Sequence, residues 1–63
     1  MKIGEKIKKI RIDNGWSQEA ISSNAGYSQS TIASIEKDNM NPSEKAVRAL
    51  ADALETYYDD LIE

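Results

Sequence analysis

The 63-residue sequence predicts an all-α domain of five short helices. Three observations lead there. Apolar residues recur at helical spacing, as in Ile3, Ile7 and Ile10. β-Branched residues never alternate over a long run and Phe is absent, so no strand pattern emerges. Gly15, Gly26 and Pro42 punctuate the chain between the periodic stretches.

The first helix covers about residues 2–14. Its isoleucines form one buried stripe and its lysines lie largely off it. Asn14-Gly15 is a stop signal. Trp16 stands directly before the next helix cap, where a hydrophobic staple belongs, so it is read as a core anchor. The second and third helices cover about residues 17–25 and 28–36. Ser17 and Ser28 can cap them, because a serine hydroxyl accepts an orphan amide hydrogen at a helix start. Ile21 and Ala25 give the second helix a narrow apolar stripe, and Ile32 and Ile35 do so for the third. Gly26 provides the turn between them. So few residues separate the pair that the helices must meet at a steep angle, the geometry of a helix-turn-helix. Ser22 and Ala25 are small, as a close crossing needs.

Residues 37–43, KDNMNPS, have no apolar period and read as a loop in which Asp38 or Asn39 takes a left-handed conformation. The fourth helix follows over about 43–54. Either Asn41 caps it, with Glu44 completing a capping box, or Ser43 does. Val47, Leu50, Ala51 and Leu54 form its buried stripe. A short fifth helix, about 58–62, buries Leu61 together with Tyr58 or Ile62. The chain therefore reads as one domain over 1–63, with no linker and no repeat.

Composition excludes several classes. There is no cysteine and no histidine, so disulfides and the usual zinc sites are out and no metal or cofactor is expected. No glycine-rich phosphate loop and no enclosed carboxylate pair points to an enzyme. The apolar runs are too short to span a bilayer, and Ile3-Gly4-Glu5 breaks any signal-peptide core, which places the chain in a reducing cytoplasm. The net charge is −3, but it is unevenly spread. Residues 1–12 carry Lys2, Lys6, Lys8, Lys9 and Arg11 against Glu5. The acids gather at the other end, in Asp52, Glu55, Asp59, Asp60 and Glu63. Such a chain can still present a basic face to DNA.

The outer face of the third helix carries Gln29, Ser30, Ala33, Ser34 and Lys37. It is polar, short-chained and uncharged up to Lys37, so it can enter a major groove and offer hydrogen bonds to base edges. Gln29 can bond adenine N6 and N7 together, Ala33 can meet a thymine methyl, and Ser30, Thr31 and Ser34 specify only weakly. Affinity would come from phosphates gathered at the amino ends of the second and fourth helices. Ser17, Gln18, Thr31, Lys37, Asn39, Asn41 and Ser43 are the candidates there, and the serines and asparagines among them double as caps. Lys6 or Lys9 could steer DNA from a distance, although a charge run is usually a solvated face. Tyr57, Tyr58 and Leu61 are a possible dimer contact, or else an edge of the core.

Nearly the whole chain resembles the phage-repressor/Cro-type helix-turn-helix family. IGEKIKKIR resembles that family's first helix, and GWSQ its approach to the second. SQxxI…AGYSxSTIxxIE resembles the helix-turn-helix itself, NPS the following loop, and ALADAL and DDLI the last two helices. The resemblance implies a lambda-repressor-like fold and a transcriptional regulator, most simply a repressor, that binds double-stranded operator DNA as a homodimer on a two-fold site. It implies base reading by Gln29, Ser30 and Ser34, and a Gln18 that bonds a phosphate and braces the recognition helix. It also implies that Arg11 and Glu36 pair to bridge the first and third helices. Departures stand at Ser22 (usually alanine), at Asp38 and at Glu55 (usually glycines). The last predicts a differently built corner after the fourth helix. The competing reading is a protein-interaction module or antitoxin whose acidic C-terminal surface binds an unknown protein partner. The negative net charge keeps that reading open.

Overall fold

In the computed structural model, which describes residues 2–62, five helices follow one another: α1 (Ile3–Asp13), α2 (Gln18–Ala25), α3 (Gln29–Glu36), α4 (Glu44–Ala53) and α5 (Tyr58–Ile62). No strand occurs among the described residues. Glu63 of the expected acidic cluster lies outside them, as does Met1. The capped helices run slightly shorter than the apolar periodicity alone would draw them. A cap residue keeps extended backbone while closing the helix beside it. Ser17, Ser28 and Ser43 each do this, and their hydroxyls accept from the backbone N–H of Ala20, Thr31 and Ala46 at 3.0, 3.2 and 3.2 Å. The choice between Asn41 and Ser43 is thus settled in favour of Ser43.

The core draws one stripe from each helix. Ile7, Ile21, Ile32, Ile35, Val47, Leu50, Ala51, Leu54 and Leu61 are buried together. Ile3, Ile10, Trp16, Ala25, Tyr27 and Tyr58 pack against them half-buried, so Trp16 anchors to the core as its position predicts. Full burial of one Ile or Leu is worth about 1.5–3 kcal/mol, and this single cluster carries most of the fold's stability. Of the two alternatives in α5, Tyr58 turns inward and Ile62 stays exposed. The guanidinium of Arg48 sits 4.2 Å from the centre of the Tyr58 ring and covers it from the α4 side.

Four helix ends close in the same way. Gly15, Gly26, Asp38 and Glu55 all take positive φ, at 75°, 80°, 60° and 55°. After α1, α2, α3 and α4 the residue beyond returns a long hydrogen bond into the last turn: Trp16 to Arg11, Tyr27 to Ser22, Asn39 to Ser34 and Thr56 to Ala51, at 3.0, 3.1, 2.9 and 2.9 Å. The corner at Glu55 is therefore not built differently. It keeps the usual closure with a residue that strains to adopt it, because a Cβ in this region crowds the following carbonyl.

Candidate nucleic-acid interface

α2 and α3 meet across Gly26, and Ser22 is buried on α2. Its hydroxyl is satisfied by donating to the Glu19 carbonyl at 2.7 Å. This crossing pushes the opposite side of α3 outward. Gln29, Ser30 and Lys37 are exposed there, and Ala33 and Ser34 are half-exposed. The candidate base readers therefore share one accessible face. Thr31 is placed less freely, because its hydroxyl lies 2.9 Å from that of the Ser28 cap. The two hydroxyls hold each other, which leaves the Thr31 methyl as its less committed group.

A polar network fixes the height of α3. The Glu36 carboxylate is buried, with 2% of its side chain exposed. Arg11 donates to it twice, from Nε at 2.7 Å and Nη2 at 3.0 Å. Arg11 also donates from Nη1 to the Trp16 carbonyl at 2.8 Å. Gln18 donates its side-chain amide to Glu36 Oε1 at 3.1 Å. Three helices and the turn before α2 are thereby tied at one carboxylate. Forked, charge-assisted bonds of this kind carry geometric specificity as well as energy. Gln18 uses one amide hydrogen on Glu36 and retains the other.

Around α3 stand the candidate phosphate-binding groups. Ser17, Asn39, Asn41 and Ser43 are exposed, and Gln18 is half-exposed. At the first turns of α2 and α4 the serine cap satisfies only one amide each, so the remaining N–H groups face outward with the positive end of the helix dipole. Glu19 and Glu44 also lie in these first turns. Glu44 is drawn to Arg48, whose Nε lies 3.2 Å away along the exposed face of α4.

The tyrosine cluster divides. Tyr57 is 81% exposed, but Leu61 is 1% exposed and belongs to the core. Leu61 cannot contact a second copy, because it already fills the space between α5 and the other helices. Tyr58 is half-buried under Arg48. Ile62, 51% exposed, lies on the same short helix and was not among the residues expected to be outward. Sequence reading also missed Gly4. A glycine inside the first turn of a helix lowers helix propensity by about 1 kcal/mol, and that unfavourable choice was the available signal.

A family model described as helix-turn-helix matches residues 7–61, most of the chain and all of this face. The chain belongs to the helix-turn-helix family. It is similar, at 39% identity over 54 residues, to the immunity repressor protein of Bacillus phage phi105. That match covers 86% of this chain and 38% of the repressor, so the chain spans well under half the length of that relative. Among solved structures, the restriction-modification controller protein C.AhdI from Aeromonas hydrophila superposes with a TM-score of 0.92 at 27% identity, over 95% of this chain and 91% of that one. The P22 c2 repressor protein, solved in complex with a synthetic operator, superposes with a TM-score of 0.92 at 27% identity, over 100% of this chain and 96% of that one. Both likenesses extend over the whole helix-turn-helix unit and the three helices that hold it.

Proposed function

We propose that this helix-turn-helix chain is a DNA-binding transcriptional regulator of the repressor type, and that it acts by binding rather than by catalysis. The observation that carries this reading is the outward face of α3, accessible and almost uncharged, held at fixed height by the Arg11–Glu36–Gln18 network. Its likeness over its full length to a repressor solved on an operator supports the same reading. In this reading α3 lies in the major groove. Gln29 reads adenine, Ala33 meets a thymine methyl, and Ser30 and Ser34 contribute weaker polar contacts. Ser17, Gln18, Thr31, Lys37, Asn39, Asn41 and Ser43 contact phosphates and set the register. Two copies bind a two-fold operator, with half-sites about one helical turn apart, roughly 34 Å. The exposed Tyr57 and Ile62 offer the contact between them. A cytoplasmic location follows from this role. No described helix is long and apolar enough to cross a membrane. The likeness to a phage immunity repressor, to a controller protein and to a repressor solved on an operator favours this reading over a module for an unknown protein partner.

The test is selection from a randomised duplex pool, sequenced at two salt concentrations. The expected result is an enriched two-fold site with adenines within reach of Gln29, bound more weakly as salt rises. No enrichment and no salt-dependent binding would overturn the proposal. Gln29→Ala should then relax preference at one position per half-site, by about 1–3 kcal/mol of discrimination, while non-specific binding stays the same. Equal loss for every sequence would show that Gln29 is not a reader.

A further inference from the structure

The amino end of α1 and the carboxyl end of α3 approach each other more closely than any side chain would allow. Gly4 is buried at this junction. A Cβ at Gly4 would fall inside contact distance of the Ile35 carbonyl oxygen. It would also stand 2.8 Å from Asp38 Oδ1 and 3.0 Å from the Glu36 carbonyl oxygen. Two of these three neighbours are backbone, so they cannot swing aside as a flexible side chain would. The carboxylate of Asp38 therefore lies beside the first turn of α1. That turn has no side-chain cap, because Lys2 supplies none. A negative charge at an uncapped helix start is favourable, since free amides and the dipole both face it. Asp38 holds a strained φ of 60° in doing so. Immediately after Asp38 come Asn39, Asn41 and Ser43, the loop through which the proposed phosphate contacts of α4 are delivered.

We propose that Gly4 is a positioning residue for DNA binding: it lets α1 seat directly on the last carbonyls of α3, and this seat, completed by the Asp38 carboxylate, sets where residues 37–43 meet the phosphates. The inference rests on the DNA-binding reading above. It adds that α1, which lies behind the recognition helix, fixes the far edge of the interface. The Arg11–Glu36 pair holds α3 from one end of α1, and Gly4 holds the exit of α3 from the other. Small displacements at such a seat matter, because well-packed backbone does not deform continuously to absorb an extra methyl.

The test compares wild type with Gly4→Ala, both confirmed as folded by circular dichroism and studied well below their melting temperatures. Binding to duplex DNA is measured across a salt series. The expected result is a shallower dependence of log affinity on log salt in Gly4→Ala, lower by about one for each phosphate that the loop no longer reaches, with base preference opposite Gln29 unchanged. A folded variant with the wild-type slope would overturn the proposal. Amide shifts are recorded on both free proteins. Residues 37–41 should move in the variant, and unmoved signals would equally overturn it. This second readout separates the two claims. If wild type itself shows no salt-dependent binding, the DNA reading fails, while the shifts still decide whether Gly4 sets the loop. If Gly4→Ala does not fold, the amides of wild-type residues 3–5 decide on addition of duplex. They should shift together with those of 37–43, and a shift confined to the loop would overturn the proposal.

Discussion

Glu36 is the residue on which most of the interface depends. Its carboxylate accepts from two guanidinium nitrogens and one amide, and among the described residues no buried side-chain nitrogen or oxygen is left without a partner. Glu36→Ala removes the common acceptor and leaves Arg11, only 11% exposed, as an uncompensated charge. Loss of one partner of a buried pair costs about 3–5 kcal/mol, a large part of what a domain this small possesses. Denaturant unfolding should show Glu36→Ala at the edge of folding. Glu44→Gln makes the contrast. The pair of Glu44 with Arg48 is exposed on both sides, so the same measurement should move by less than about 1 kcal/mol. The difference lies in solvent access, since water screens one pair and not the other.

At the scale of elements, the helix ends carry more information than the helix bodies. Ser43 caps α4 and Asn41 does not, so their alanine variants should separate two roles. Ser43→Ala should lose about 1 kcal/mol of stability by thermal unfolding. Asn41→Ala should leave stability nearly unchanged and weaken DNA binding uniformly across sequences, as removal of a phosphate-binding group does. The left-handed positions make another pair. Glu55 and Asp38 both hold positive φ without being glycine. Glu55→Gly should raise stability by up to about 1 kcal/mol, a melting-temperature gain of roughly 4–8 °C per kcal/mol. Asp38→Gly should gain less, because it also removes the carboxylate beside the start of α1. Equal gains would show that this carboxylate contributes nothing there.

The whole molecule measures 25 × 22 × 19 Å. Side chains add a little to each dimension, so two copies centred about 34 Å apart on one face of DNA would meet through a narrow contact only. Tyr57 and Ile62 suit such a contact, but Asp59 and Asp60 beside them are exposed as well. Two copies meeting there would bring like charges together, which would weaken association in free solution. Tyr57→Ala should leave the melting temperature unchanged. Sedimentation of the complex with a two-half-site duplex should show reduced occupancy by a second copy, and unchanged occupancy would place the contact elsewhere.

Most of the architecture was legible in the sequence because each helix writes its buried side as a period of three or four residues. Ile3, Ile7 and Ile10, or Val47, Leu50 and Leu54, admit one inward face and no other. The serine caps and the turn at Gly26 were legible because they obey local backbone chemistry. The outward face of α3 followed from the same periodicity. Tertiary structure alone decided matters that depend on residues far apart in the chain. It chose Tyr58 over Ile62 as the buried partner of Leu61. It added the Trp16 carbonyl to the Arg11–Glu36 pair and the Gln18 brace that the family resemblance had implied. It also set Gly4 against the end of α3, far away along the chain, where the absence of a side chain counts only because another backbone passes so close. Local patterns are sums over neighbours in sequence; these contacts exist only once packing has brought distant segments to the same point.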